Sequence, residues 1–255
     1  MNTVIYYFSA TGNSLTTAKL LAAQLCGCTL VPIASLRGDA EVFVDGTADA
    51  VGFVFPIYFS DMPYAMRNFV SRLRFAGKPY VFSVCTSRGH FGDIAKRLHA
   101  LLAQKGQKLS CSAHVQMPGN SRISTPEENA LTLAAQRDAV AQVAELLRTR
   151  PQQDYTADAP LPETPVHTAA NIRGLEAEEC CIGCGICAEV CPMDNIRVEN
   201  GRAAIGQNCT VCLACFHWCP VEAIWMKDGE PDMRRRFKYH HPDVTLQDIL
   251  RQKQR

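Results

Sequence analysis

The chain reads as an α/β protein: a doubly wound, five-stranded parallel sheet followed by a small α+β module built around cysteines. Three observations predict this. Near-continuous apolar runs recur through residues 1–150, separated by amphipathic stretches, which is the pattern of parallel strands covered on both faces by helices. Nine of the thirteen cysteines fall between Cys180 and Cys219, whereas Cys26, Cys28, Cys85 and Cys111 are scattered. Between these regions lies a stretch carrying Pro151, Pro160, Pro162 and Pro165 with little apolar periodicity, which reads as a semi-extended linker. The expected organisation is a sheet domain over 1–150, a linker over 151–175, a cysteine module over 176–228 and a basic tail over 229–255.

Each element has its own signal. Thr3–Phe8 is an apolar strand, and Asn13–Leu25 a helix with Leu15, Ala18, Leu21, Ala22 and Leu25 on one side. Thr29–Ile33 and Ala48–Phe55 are the second and third strands, and Pro63–Leu73 is a helix. Pro79–Cys85 is the fourth strand, followed by a helix over Gly92–Lys105. Lys108–Met117 is the fifth strand, and Pro126–Arg148 a long final helix with Pro126 near its first position.

Composition narrows the function classes. The 255 residues are 47% hydrophobic and carry a net charge of +1, so bulk charge points to neither nucleic acid nor an acidic membrane surface. No apolar run reaches the length of a membrane span. Met1-Asn2-Thr3 opens without a basic leader, so thirteen cysteines predict a reducing cytoplasm, where spaced thiols bind metal more often than they pair as disulfides.

The cysteines form two copies of one spacing, C-x2-C-x2-C-x3-C-P. The first is Cys181, Cys184, Cys187 and Cys191 before Pro192; the second is Cys209, Cys212, Cys215 and Cys219 before Pro220. The repeat continues beyond them, Cys191–Ile196 matching Cys219–Ile224. Three thiolates on a tight loop suit three corners of an iron–sulfur cubane, and the fourth corner needs a ligand from elsewhere. Structural zinc uses separated cysteine pairs around one ion and fits this spacing poorly. Gly183, Gly185 and Ala214 leave room for backbone N–H groups near the sulfurs. Ile182, Ile186, Val211, Ile196 and Ile224 are candidates for an apolar shell, while Cys180 is a spare thiol and His217 a packing or surface residue, not a ligand.

This segment resembles the bacterial 2[4Fe–4S] ferredoxins over about 50 residues. The resemblance implies that the last cysteine of each run serves the other cluster. Cys181, Cys184, Cys187 and Cys219 would then hold one [4Fe–4S] cluster, and Cys209, Cys212, Cys215 and Cys191 the second.

In the sheet domain the chemistry is expected at the carboxyl ends of the strands. The first turn, Ser9-Ala10-Thr11-Gly12-Asn13-Ser14, offers a tight glycine, neutral donors and a helix N-terminus, with no Lys or Arg. It suits a phosphate monoester and lacks the lysine of a nucleotide P-loop. The turn resembles the FMN-phosphate loop of flavodoxins, with Ser14 where Thr is commoner. That resemblance implies FMN, with Ser9, Thr11, Gly12, Asn13 and Ser14 around its phosphate. It also implies ring-facing loops at Pro56, Ile57, Tyr58 and Phe59 and at Thr86, Ser87, Arg88, Gly89 and His90, with Tyr58 and Phe59 placed to stack. Met117–Asn120 ends the fifth strand and can reach the same place, while Cys85 reads as a buried thiol.

The whole chain resembles flavodoxin–ferredoxin fusion proteins, which implies an electron-transfer protein with one FMN and two [4Fe–4S] clusters, serving a redox partner protein. No residue is then needed as a general acid or base. Two alternatives stand beside it: an FMN-dependent reductase of a small substrate fed by the clusters, and a redox sensor. The run Met233–His241 is basic and partly aromatic; it either packs on the domain or docks an acidic partner.

Overall fold

The computed structural model describes residues 2–89, 92–120, 124–157, 160–161, 175–226 and 238–254. Most of the expected linker, and the basic run as far as Phe237, lie outside the described residues. The chain begins with β1 (Thr3–Tyr7), α1 (Asn13–Leu25), β2 (Cys28–Pro32), β3 (Val42–Val44), β4 (Ala50–Pro56) and α2 (Tyr64–Arg72). It continues through β5 (Leu73–Phe75), β6 (Tyr80–Ser87), α3 (Ile94–Ala103), β7 (Cys111–Gln116), α4 (Pro126–Ala134) and α5 (Gln136–Arg148). The main sheet has the order β2-β1-β4-β6-β7, and every neighbouring pair is parallel. Ile5, Val51, Phe53, Val54, Val81 and Val84 are fully buried, as the unbroken apolar runs require of strands covered on both faces.

This is the flavodoxin-like order. The chain leaves β1 toward β2, then returns to lay β4 on the other side of β1. A crevice opens at the strands' carboxyl ends where that direction reverses. All five strands, and the helices after the first, third and fourth of them, follow the sequence reading, with ends shifted by a few residues.

Two features depart from it. β3 and β5 form a separate parallel ladder from Val42–Leu73 to Val44–Phe75. Each is three residues long, and Phe43 is 74% exposed, so no apolar periodicity announces them. The single helix expected over Pro126–Arg148 is two, α4 and α5, joined at Ala135. The break changes which face turns inward: α4 buries no residue, whereas α5 buries Val140, Val143, Ala144 and Leu147. Gln136, at the joint, donates its amide hydrogens to the Thr16 and Thr17 hydroxyls of α1 at 2.9 and 3.3 Å.

Residues 151–157 lie along the sheet rather than away from it. Gln153 N–H donates to Ser110 O at 2.9 Å, and Ser112 N–H to the Tyr155 hydroxyl at 2.6 Å.

The second half comprises β8 (Leu175–Ala177), α6 (Ile186–Glu189), β9 (Ile196–Glu199), β10 (Arg202–Ile205), α7 (Ala214–His217), β11 (Ile224–Met226) and α8 (Leu246–Arg251). β8 pairs antiparallel with β11, and β9 with β10 through a two-residue turn, Asn200-Gly201, with φ of 50° and 76°. That is the Asn-Gly hairpin whose left-handed residues match the strand twist. The repeat is visible in the backbone: left-handed residues fall at Gly183, Gly185 and Asp194 in the first run and at Val211, Leu213 and Glu222 in the second, at matching offsets from the first cysteine. Where the first run uses glycine, the second forces Val211 and Leu213 into the same conformation, which costs an L-residue roughly 1–2 kcal/mol.

The halves share one core. Val190, Cys212 and Ala214, with Val244 and Ile249 beyond them, join the apolar cluster of the sheet. A smaller cluster, including Ile196, Leu213, Phe216 and Ile224, surrounds the other thiols. At the seam, Asp194 pairs with both Arg37 and Lys253, and Ala65 N–H donates to the Thr210 hydroxyl at 3.1 Å.

Candidate functional site

The Ser9–Ser14 turn sits at the switch point, between β1 and α1. Ser9, Thr11, Asn13 and Ser14 are all buried despite their polarity. Gly12 adopts φ 101°, a conformation open to glycine, and its N–H donates to the Ser9 hydroxyl at 3.2 Å. Among the described residues no side chain caps α1. Its first N–H groups and the hydroxyls of the turn therefore form a neutral cradle suited to an anion.

A cavity of about 530 Å³ opens over this cradle, a size suited to a cofactor. Ser9, Ala10, Thr11, Asn13 and Ser14 line one end; Pro56 to Ser60, Thr86 to Gly89 and Met117 to Asn120 line the rest. Of the sequence-predicted residues, all but Gly12 and His90 face the cavity. Gly12 is not part of the lining, and His90 falls outside the described residues. Ser60 and the Met117–Asn120 loop complete the lining; Ser60 gave no signal of its own, and the loop was marked by its place after the fifth strand.

The second loop is a tight hairpin. Tyr58 and Asp61 exchange N–H···O bonds of 2.9 Å, and the two residues between them, Phe59 and Ser60, both have positive φ, 53° and 61°. A bulky residue there is strained, and such strain gathers at ligand sites. The turn is braced by Asp61, which accepts from Met62 N–H at 2.7 Å and pairs with Arg67 at 2.5 Å. The result is a Phe59 ring that is 51% exposed at the cavity rim.

The third loop is tied to the first by the Ser14 and Thr86 hydroxyls, 2.8 Å apart. Ser87 Oγ lies 2.8 Å from His114 Nε2, and burial holds that imidazole below its ordinary value. Arg88 lines the cavity and pairs with Glu128 at 3.6 Å. Asn13 has a different role from the one its amide suggests. Its Nδ2 donates to Pro118 O at 2.8 Å and its Oδ1 accepts from the Tyr239 hydroxyl at 2.6 Å, leaving the backbone N–H for a ligand.

The cysteine runs make two adjoining sites. A small cavity is lined by Cys181, Cys184 and Cys187 of the first run and by Cys219 of the second, with Ile182, Val198 and Ile224 around them. Burial pushes the Cys187 thiol up to about 11, and charge on Cys181, Cys184 and Cys219 adds to it. Burial also raises Cys209, Cys212 and Cys215, and for each of these Cys191 adds to the shift. Cys215 is raised as well by Cys187, so the two sites are neighbours.

Backbone N–H groups reach the sulfurs: Asn195 to Cys191 at 3.4 Å, Ala223 to Cys219 at 3.2 Å and Val211 to Cys209 at 3.3 Å. Cys180 is exposed, directs its thiol to Val221 O and is not part of the cavity lining. Among the described residues no three His, Cys, Asp or Glu side chains converge as ligands of one ion.

The two kinds of site share a wall. Tyr58 and Asn120 line the large cavity, and the Asn120 amide donates to Cys212 O at 3.3 Å and to the Tyr58 hydroxyl at 3.4 Å. Burial first, then charge on Cys212, pushes the Tyr58 phenol well above its usual range. Trp218 Nε1–H donates to Ala10 O, in the first turn, at 2.9 Å. His217 is buried; its Nδ1 accepts from Tyr239 N–H at 3.1 Å, so Nε2 carries the proton and donates to Asn120 O at 2.8 Å. The sequence left His217 as a packing or surface residue, and burial decides for packing; nothing local pointed Trp218, Tyr239 or Asn120 at one another.

A family model described as a 4Fe-4S binding domain matches residues 177–197. No curated protein sequence matches the chain. Among solved structures, the sheet half is similar to a flavoprotein from Bacteroides uniformis, at 18% identity over 56% of this chain and 97% of that one, TM-score 0.40. It is similar also to a flavodoxin, WrbA-like protein from Agrobacterium tumefaciens, at 21% over 58% and 98%, TM-score 0.38. An FMN-dependent NADH-azoreductase from Bacillus anthracis in complex with FMN matches at 12% over 58% and 99%, TM-score 0.40. A flavodoxin-like sheet joined to a 4Fe–4S motif is an arrangement for redox chemistry.

Proposed function

We propose that this chain is an electron carrier of the flavodoxin–ferredoxin fusion type, joining two [4Fe–4S] clusters to one FMN and serving a redox partner protein. The observation that carries the reading is the shared wall: Tyr58 and Asn120 belong to the cavity and also meet Cys212. FMN contributes a two-electron store, and iron–sulfur clusters contribute one-electron steps.

The chain's own residues do the rest. The Ser9–Ser14 turn and the start of α1 take the phosphate, while Phe59, Tyr58 and Arg88 border the ring. Cys191, Cys209, Cys212 and Cys215 form the inner thiol site, where Cys212 meets the cavity wall through Asn120; Cys181, Cys184, Cys187 and Cys219 form the outer one. Cys184 is exposed and Ile182 is 64% exposed, so the outer site is the one a partner reaches. With the groups bound, the outer thiols would face the partner and the inner ones the cavity wall, so the chain would offer a path between partner and flavin. No acid or base is required, and the chain's task is spacing, burial and hydrogen bonding to sulfur, which tune cluster potential.

Iron, acid-labile sulfide and FMN measured in anaerobically purified protein test this directly. The expected content is about eight irons and one FMN per chain, as two cubanes and one flavin require. Fewer than about four irons, or no bound flavin, overturns it.

A further inference from the structure

The end of the basic run, with the residues just after it, is a further part of this site. Residues 238–244 cross from the inner thiol loop to the Ser9–Ser14 turn. At one end, Lys238 Nζ donates to Phe216 O at 2.8 Å, Tyr239 N–H donates to His217, and the His240 ring stacks on Trp218 with centroids 4.4 Å apart and planes 12° apart. At the other end, His241 N–H donates to Thr11 O at 2.8 Å, and the Tyr239 hydroxyl donates to Asn13 Oδ1. His241 and Val244 lie so close over Gly12 that a Cβ there would meet Val244 Cγ2 at 2.8 Å and His241 Cβ at 2.9 Å. His241 Nδ1 accepts from Asp243 N–H at 3.1 Å, so Nε2 donates to Gln136 Oε1 at 2.9 Å, and Gln136 in turn holds Thr16 and Thr17 of α1.

We propose that Tyr239 is a positioning residue for the flavin phosphate, and that the strap carrying it couples cofactor affinity to docking of the inner thiol loop. The Asn13 side chain is the intermediary. Held between the Tyr239 hydroxyl and Pro118 O, it fixes the direction of its own backbone N–H at the start of α1. One strap therefore touches the turn that takes the phosphate, through Thr11, Gly12 and Asn13, and the loop that carries Cys215 and Cys219, through Phe216, His217 and Trp218. Loosening it affects both. The cation–π contact of Lys238 over the Phe216 ring, at 3.3 Å, anchors the thiol-loop end.

This inference rests on the FMN reading of the cavity, and the test separates the two. Full-length holoprotein is depleted of FMN and titrated with FMN alone, following quenching of flavin fluorescence, for the parent chain, Tyr239→Phe, Asn13→Ala and the double variant. Iron per chain is counted in each. Tyr239→Phe is expected to weaken FMN on the order of tenfold, the effect of leaving one buried acceptor without its donor, with iron unchanged. In the Asn13→Ala background the same change is expected to cost less than about twofold, because its route has been removed. Val244→Ala, which removes the Cγ2 that comes nearest Gly12 and so loosens the cover, is the second variant and is expected to weaken FMN and to slow flavin reduction by the clusters together.

Equal FMN affinity in Tyr239→Phe and parent overturns the positioning role, as do independent, additive losses in the double variant. Unchanged flavin affinity and reduction rate in Val244→Ala overturn the coupling. A parent chain that binds no FMN overturns the functional reading itself.

Discussion

Gly183 gives the sharpest test of how the first thiol loop is built. Its φ is 65°, and a Cβ placed on it would lie 2.5 Å from Gly201 O, 2.9 Å from Gly201 C and 3.2 Å from its Cα. The obstacle is backbone, at the tip of the β9–β10 hairpin, so no side chain can rotate away. Gly183→Ala therefore carries two costs: about 1–2 kcal/mol for a left-handed L-residue and about 1–3 kcal/mol for forcing a packed hairpin aside, together about 2–5 kcal/mol.

Two glycines supply controls in the same module. Gly201 has φ 76° with nothing within 4 Å of an added methyl, and Gly185 has φ 82° with only Val198 Cγ2, at 3.9 Å. Alanine at either incurs only the conformational cost. The assay is anaerobic chelator stripping of reconstituted protein, followed by visible absorbance and iron per chain. Gly183→Ala is expected to lose outer-site iron at least about tenfold faster than Gly201→Ala or Gly185→Ala, since about 1.4 kcal/mol corresponds to a factor of ten. Equal stripping rates in the three variants would falsify the account of that contact.

Three further outcomes are expected. Cys219→Ala, although it lies in the second run, should leave the second-run thiols loaded and halve the iron to about four per chain; loss of the other cluster instead would refute the crossing of ligands. Phe59→Gly should raise thermal stability by relieving a left-handed phenylalanine, by about 1 kcal/mol, while FMN binds several-fold more weakly; the reasoning fails if both move the same way. For pH, burial holds His241 below its ordinary value, with Asp243 partly opposing. An imidazole lowered in the fold adds stability that is whole above about pH 6.5 and is lost as pH falls from there through the folded value. FMN affinity should decline over that window in the parent, and His241→Gln should flatten the decline; identical profiles would exclude His241 as its source.

The strands were legible because each is buried on both faces. Val51, Phe53, Val54, Val81, Phe82 and Val84 leave an unbroken apolar trace that turns cannot mimic. The Ser9–Ser14 turn was legible because it is local, with every polar residue of the cradle inside one six-residue stretch. β3 and β5 were not, because three-residue strands with an outward Phe43 have no periodicity to detect. The break at Ala135 escaped as well. Beyond Pro126 at its start, Pro126–Arg148 contains no glycine or proline, and what divides it is the pull of Gln136 toward Thr16 and Thr17, more than a hundred residues earlier.

By itself the sequence determined the sheet class, the two thiol runs and the candidate phosphate turn, because each follows from spacing within a short stretch. Only the tertiary structure decided how these parts meet. It set Cys212 against the cavity wall and Cys184 at the surface, and so gave the two groups of thiols different places relative to the cavity. It also brought Tyr239 and Val244 onto a turn more than two hundred residues away. The physical reason is the shared core. Val190, Cys212, Ala214, Val244 and Ile249 bury apolar surface against the sheet, and no periodicity within one segment encodes which distant segment will cover it.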